Sequence, residues 1–262
     1  MARIVFALSC VAAIAVATIA SAVSAQTPAP SGPAPLTTWQ WQLTGSPLNE
    51  WYDVDVYDVD LFDADPAIGQ RQHARGRSAV CYLSAGTWEN WRPDADRFPA
   101  SVKGRANGWP GEQWLDIRNL DVLGPILEAR LDLCKAKNFD GVEPDNVDGY
   151  ANKTGFPLTY ADQIRFNTFL ANAAHRRGLS IGLKNDLDQV KDLEPLFDWA
   201  LNEECFRYNE CDALAPFVKA GKTVLHVEYN SDPATFCPAA VAKRFSSMKK
   251  RLSLDAYRVV CP

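Results

Sequence analysis

FDGVEPDNVDGYANKTGFPLTYADQIRFNTFLANAAHRRGLSIGL, residues 139–183, reads as strand, helix and strand. Gly141-Val142-Glu143 is a short apolar run. Residues 160–177 set Ile164, Phe166, Phe169, Leu170 and Ala173 at helical spacing, and Gly178 supplies a stop. Ser180-Ile181-Gly182-Leu183 opens a second apolar run. Strand, helix, strand is the signature of a parallel pair, because parallel strands need a long crossover. The first run also raises a chemical question. It leads Glu143, Asp145 and Asn146, around Pro144, out of an apolar element, and burying a carboxylate is costly unless it is paired or used.

The pattern repeats outward. Strands are predicted at 38–43, 54–57, 79–84, 141–143, 180–183, 199–202, 223–228 and 257–260. Helices are predicted at 125–136, 160–177, 188–197, 213–220 and 239–252. Eight strands with helices between them predict an α/β fold, a single-domain (β/α)8 TIM-type barrel. A doubly wound sheet is the rival, but no G-x-G-x-x-G or G-x-x-x-x-G-K follows the first strand. The barrel is expected over 36–262. Residues 26–35, QTPAPSGPAP, form a Pro-rich spacer. Residues 1–25 read as a signal peptide, with Arg3, an apolar stretch over 4–20, and small residues Val23-Ser24-Ala25 before the cut. The protein is therefore expected outside the cell, with no membrane contact once the leader is removed.

The 262 residues carry 27 Lys+Arg and 32 Asp+Glu, a formal net charge of −5. That balance argues against nucleic acid, which calls for a basic patch, and suits a cationic partner. Seven Cys fall to six when Cys10 leaves with the leader. An even number in an exported chain favours disulfides. Of the fifteen pairings that six allow, the expected set is Cys205 with Cys211, Cys237 with Cys261, and Cys81 with Cys134.

In a barrel of this type the site lies at the C-terminal ends of the strands. Polar residues collect there: Tyr82 and Ser84; Glu143, Asp145, Asn146 and Asp148; Lys184, Asn185 and Asp186; Asn202, Glu203 and Glu204; Glu228 and Tyr229. Two carboxylates across a polar pocket are what glycosidic cleavage needs, one as acid and one as nucleophile or base. No G-x-S-x-G or H-E-x-x-H competes, and His73, His175 and His226 are scattered. No metal and no cofactor are expected, although an all-carboxylate Mg or Ca site stays open. Eight Trp fit a sugar substrate, because flat aromatics stack on sugar faces. Each of them is first a candidate for core packing.

The ordered set TTWQWQL (37–43), YDVDLFD (57–63), CYLSAGTWENWRPD (81–94), WLDIR (114–118), FDGVEPDNVDGY (139–150), GLKND (182–186), NEECFRYNEC (202–211) and HVEYN (226–230) resembles glycoside hydrolase family 114, the endo-α-1,4-polygalactosaminidases. The resemblance implies a (β/α)8 barrel and hydrolysis of α-1,4-linked galactosamine polymers, with Asp145 and Glu203 as the catalytic pair. Asp145 is taken as nucleophile and Glu203 as acid/base. Glu204 is the near rival, since strand alternation sends only one of the two into the pocket. Asp58, Tyr82, Glu143, Asn146, Asp148, Lys184, Asn185, Glu204, Glu228 and Tyr229 are expected to bind substrate. The partner is a cationic amino-sugar polysaccharide, and a monomer is expected. A non-catalytic polysaccharide-binding barrel and a glycosidase of other sugar specificity are the alternatives.

Overall fold

The computed structural model describes Met1 and residues 31–262. Residues 2–30, where the leader and the first half of the spacer are expected, lie outside the described residues. The strands are β1 (Trp39–Gln42), β2 (Val56–Asp60), β3 (Ser78–Ser84), β4 (Thr87–Glu89), β5 (Lys103–Ala106), β6 (Glu112–Leu115), β7 (Gly141–Asp145), β8 (Ser180–Lys184), β9 (Trp199–Glu203), β10 (Val224–Glu228), β11 (Ser246–Lys249) and β12 (Val259–Val260). The helices are α1 (Ile68–His73), α2 (Leu120–Ala136), α3 (Tyr160–His175), α4 (Val190–Leu193), α5 (Cys205–Tyr208), α6 (Ala215–Lys219) and α7 (Pro233–Ala242).

The unit read first in the sequence is present as β7–α3–β8. Thr159 and Asp162 form a reciprocal capping box at the start of α3, which satisfies backbone donors that a helix start leaves free. Phe166, Leu170, Ala173 and Ala174 turn inward and are buried. The helix stops at His175, and Gly178 follows with φ +67°, a conformation that glycine adopts without strain.

Eight parallel strands follow one another as β1-β2-β3-β7-β8-β9-β10-β11, and β12 pairs antiparallel with β11. The sheet is curled. Its concave face is packed by Trp39, Trp41, Val56, Val80, Trp199, Leu201, Leu225, Val227 and Met248. Gly182 admits the Trp199 ring, since a Cβ there would lie 2.5 Å from it. The helices and the outer strand faces share the larger core. Burial of this apolar surface stabilises the fold by about 25 cal/mol per Å².

Three expectations are corrected. First, the expected α/β fold is present as a curled parallel sheet, a half-barrel: among the described residues no ladder joins β11 to β1, and no helix follows β1 or β11. Side chain and loop span the seam instead. The Trp39 indole donates to Ser246 O at 2.9 Å, and Leu43 N donates to Leu254 O at 2.9 Å. Second, the eighth parallel strand is β11, which the sequence assigned to a helix over 239–252. The helix ends at Ala242, and Arg244 takes φ 62°, so the chain turns and Phe245 leads into a strand. The short run at 257–260 is the antiparallel β12. Third, β4, β5 and β6 form a separate antiparallel sheet between β3 and α2, which carries much of the aromatic-rich sequence over the strand ends.

The three disulfides are Cys81–Cys134, Cys205–Cys211 and Cys237–Cys261, with Cα–Cα separations of 6.1, 4.8 and 5.2 Å. This is the pairing expected from the sequence. The first ties β3 to α2, and the third ties α7 to the C-terminal segment. No helix of the described residues is long and apolar enough to cross a membrane.

Candidate active site

Inward-facing positions near the C-terminal ends of the parallel strands stack in two layers. The lower holds Trp41 from β1, Asp58 from β2, Glu143 from β7 and Lys184 from β8. The upper holds Tyr82 from β3, Asp145, Glu203 from β9, and Tyr229 just past β10. Trp41 pairs with Asp58 within the lower layer, Tyr82 pairs with Glu143 across the two, and alternation brings every second residue to the same face.

Lys184 is the centre. Its ammonium donates to Glu143 Oε1 at 2.8 Å and lies 3.3 Å from both Asp145 Oδ1 and Glu203 Oε2. It sits 4.6 Å above the centroid of the Trp41 ring. Burial works against the charged form, but Asp145, Glu143 and Glu203 outweigh it and hold the lysine well above its ordinary pKa.

Each upper carboxylate has its own donors. Asp145 Oδ2 accepts from the Tyr82 hydroxyl at 2.9 Å, and Oδ1 from Asn146 N at 2.9 Å. Glu203 Oε1 accepts from the Tyr229 hydroxyl, and Oε2 from Asn185 Nδ2 at 3.1 Å. Asn185 Oδ1 in turn accepts from Glu203 N at 3.0 Å, which fixes the amide. Burial raises the hydroxyl pKa of both Tyr82 and Tyr229, so both stay donors. The two carboxylate side chains keep 22 % and 24 % exposure. They share a lysine nitrogen, so their facing oxygens are at most twice 3.3 Å apart.

Both open into a cleft of about 560 Å³. Its walls carry the acids Asp60, Asp63, Glu89, Glu112 and Asp148 and the half-exposed rings of Trp91 and Trp109. Among the described residues Arg92 is the one further cation in the wall, and it is taken by Asp60 at 2.6 Å and Glu89 at 2.7 Å. A second cleft of about 560 Å³ adjoins the first and shares Leu43, Thr44, Asp60 and Asp63 with it. Gly86 permits the close approach of the loops after β3 and β7, since a Cβ there would fall 1.7 Å from Asn146 O.

Of the residues predicted from the sequence, Tyr82, Asp145, Asn146, Asp148, Lys184, Asn185, Glu203 and Tyr229 meet at this cleft. Four do not. Asp58 and Glu143 lie fully buried beneath Lys184, because the same alternation that aims them inward leaves them one layer below the opening. Glu204 takes a left-handed turn (φ 60°) and accepts from Arg207 at 2.7 Å. Glu228 accepts from Phe206 N at 3.0 Å and from the Ser231 hydroxyl at 2.7 Å, so it anchors the start of α5. Sequence reading missed Trp41, Glu89, Arg92 and Glu112 as individual residues. The acids embedded among tryptophans in WENWR and GWPGEQW were the available signal. The cluster of Cys205, Cys211 and His226 offers metal-donor atoms close together, but both cysteines are committed to a disulfide.

Asp186 supplies a stability test. It is buried, with φ 43° and only Asn167 Nδ2 donating to it, at 3.0 Å. Burial, then Asp148 and Asp188, push its pKa up to about 8. A raised carboxyl pKa contributes stability that is fully present below the unfolded value and lost as pH rises through the folded one. Stability is therefore expected to fall between about pH 4 and pH 8. Asp186→Asn keeps the shape, tolerates the left-handed backbone and carries no charge. Thermal melts should show it more stable than wild type by about 1–3 kcal/mol at pH 8 and equal to it at pH 4. Equal melts at both pH values would show Asp186 ionised at no cost.

Two acids converge from different strands on an open, acid-lined cleft, an arrangement compatible with glycosidic hydrolysis, and the class the fold and cleft point to is a glycoside hydrolase. Comparison with known proteins agrees. The chain belongs to glycoside hydrolase family GH114, whose family model matches residues 19–262. A solved structure of Aspergillus fumigatus Ega3 in complex with galactosamine is 41 % identical, covers 91 % of this chain and 100 % of that one, and superposes with a TM-score of 0.84. The glycoside hydrolase domain of PelA from Pseudomonas aeruginosa shares the fold at 15 % identity and a TM-score of 0.65, over 85 % of this chain and 96 % of that one. An uncharacterized protein of Deinococcus radiodurans is 28 % identical over 207 residues, 70 % of this chain and 66 % of the relative's length.

Proposed function

We propose that the protein is an exported endo-glycosidase that hydrolyses α-1,4-linked, at least partly deacetylated galactosamine polymers through Asp145 and Glu203. The observation that carries this reading is the single Lys184 ammonium 3.3 Å from both carboxylates. It holds the facing oxygens of the two acids within twice 3.3 Å of each other, a span that accommodates the separation of about 5 Å at which one attacks the anomeric carbon and the other serves the leaving oxygen.

Asp145 is the nucleophile. One of its donors is a backbone N–H, which holds the attacking oxygen in place throughout the reaction. Glu203 is the acid/base. One of its partners is the Tyr229 hydroxyl, which rotates as Glu203 gains or loses a proton. Asp145 attacks as Glu203 protonates the leaving glycosidic oxygen. Glu203 then takes a proton from water, which attacks the same carbon and releases Asp145. The sugar configuration is retained, and proton NMR of a fresh digest should show the α anomer forming first. A first-formed β anomer would overturn the assignment of Asp145 as nucleophile.

Deacetylated galactosamine presents one ammonium per sugar, matching the acidic walls of the cleft. Ega3, the relative at 41 % identity, was solved with galactosamine bound, which supports the sugar class. The adjoining second cleft extends the room for further sugars beyond the first, which suits endo cleavage. Raising NaCl from about 0.05 to about 0.5 M should increase KM on deacetylated polymer several-fold with kcat little changed, because exposed charge pairs are screened. The same salt step should leave KM on a fully acetylated polymer flat. A reducing-end assay on the two polymers checks both statements.

A further inference from the structure

Asp58 is unused by the mechanism above. Its side chain is fully buried, and neither oxygen accepts a hydrogen bond from any described N–H or O–H group. The charged groups that face it are Glu143 from β7 and Lys184 from β8. Beyond Lys184 stand Asp145 from β7 and Glu203 from β9, and the neutral phenols Tyr82 from β3 and Tyr229 after β10 close the ring. Glu89 and Glu112 lie further out on β4 and β6.

Four carboxyls therefore share one ammonium. Glu143 has the better claim to a charge. It accepts from Trp41 Nε1 at 2.9 Å and from Lys184 at 2.8 Å. Asp58 has no such donor, and a buried carboxylate without donors or a cation costs several kcal/mol.

We propose that Asp58 is stored as a neutral acid whose proton is donated to Glu143, and that the two are positioning residues which fix how much of the Lys184 charge reaches Asp145 and Glu203. Burial, then the nearby Glu143, raise the Asp58 pKa well above the usual carboxylate range. Glu143 itself is pushed up by burial to about 7, so the donated hydrogen bond decides whether it stays ionised at working pH. An ionised Glu143 takes its share of the lysine charge. A neutral Glu143 leaves all of it to the upper pair and strengthens the attraction of Lys184 for those two carboxylates. The inference rests on the glycosidase reading only for its kinetic arm.

The test compares Asp58→Leu, Asp58→Asn and Glu143→Gln by pH profile on a galactosamine polymer. Asp58→Leu removes the donor, so Glu143 takes up a proton near neutrality. The alkaline limb of kcat should move to lower pH by about one unit. Glu143→Gln should move it the same way and at least as far. Asp58→Asn keeps a neutral N–H donor and should restore the wild-type limb. A second measurement needs no substrate and no refolded apolar variant. The infrared carbonyl band of an un-ionised carboxylic acid at pH 7 should lose one component in Asp58→Asn relative to wild type. An Asp58→Asn enzyme whose limb shifts as Glu143→Gln does, or whose infrared band is unchanged, would overturn the proposal. Wild type that cleaves no galactosamine polymer would overturn the glycosidase reading instead and leave the infrared result standing.

Discussion

Asp145→Asn is expected to lower kcat on galactosamine polymer by about 10⁴-fold or more, with KM within about threefold of wild type. The amide cannot attack the anomeric carbon, yet it fills the same space and keeps the hydrogen bond from Asn146 N to its Oδ1. Binding through the cleft walls is therefore left in place, and the loss falls on the chemical step. Glu203→Gln should cost about 10²–10⁴-fold on polymer. On a substrate with a leaving group that needs no proton, it should cost far less in the first step. Azide separates the two roles. Added to Asp145→Ala with an activated α-galactosaminide, it enters the face the carboxylate vacated and gives the β-azide. Added to Glu203→Ala, it attacks the covalent intermediate and gives the α-azide. The reverse pattern would exchange the two assignments, and activity surviving both substitutions would remove the pair from the mechanism.

The parallel core was legible because its residues announce it twice, once by apolar runs at strand length and once by the helical spacing between them. The 139–183 unit is such a case: a capped helix packs on two strands whose inward residues alternate. The eighth strand was not legible. Ser246-Ser247-Met248-Lys249 has no strand periodicity of its own and takes its place by pairing with β10. The preceding helix ends at a left-handed Arg244 rather than at a glycine, so no stop signal was present. The two acids proposed as the catalytic pair could be named because they sit where parallel strands end, and of Glu203 and Glu204 only Glu203 lines the cleft. Depth was the missing coordinate. Asp58, Glu143 and Asp145 look alike in sequence, and only the stagger of the curled sheet puts the first two below Lys184 and the third above it. Glu112 was hidden for a different reason. Its strand belongs to the small antiparallel sheet, whose placement over the cleft depends on long-range pairing with β4 and β5.

Lys184→Met is expected to damage both activity and stability, and the way it does so tests the central role given to that ammonium. Methionine matches the apolar stem against Trp41 and removes only the charge. Glu143 then keeps a single donor, the Trp41 indole, along with any proton Asp58 shares, while Asp145 and Glu203 face each other without a cation. Breaking a buried charge set by removing one partner costs about 3–5 kcal/mol. The sign with pH follows from linkage. The folded pKa of Lys184 lies above its unfolded value, so its contribution is fully present below the unfolded lysine pKa and is lost only as pH rises through the higher folded one. Wild type thus keeps this stabilisation across pH 5–9. The variant should be least stable at the alkaline end of that range, where its orphaned carboxylates are ionised, and should recover part of the loss toward pH 5 as they protonate. The attacking carboxylate of Asp145 also loses the cation that stood 3.3 Å from it, and kcat at pH 6 should fall by about 10³-fold. Adding Glu143→Gln should return a portion of the lost stability, since it removes the buried carboxylate that has lost its cation. A double-mutant cycle with a coupling of about 1–3 kcal/mol is the expected reading. Strict additivity of the two substitutions would mean that Lys184 and Glu143 do not share a charge, and the arrangement of acids around one ammonium would lose its physical basis.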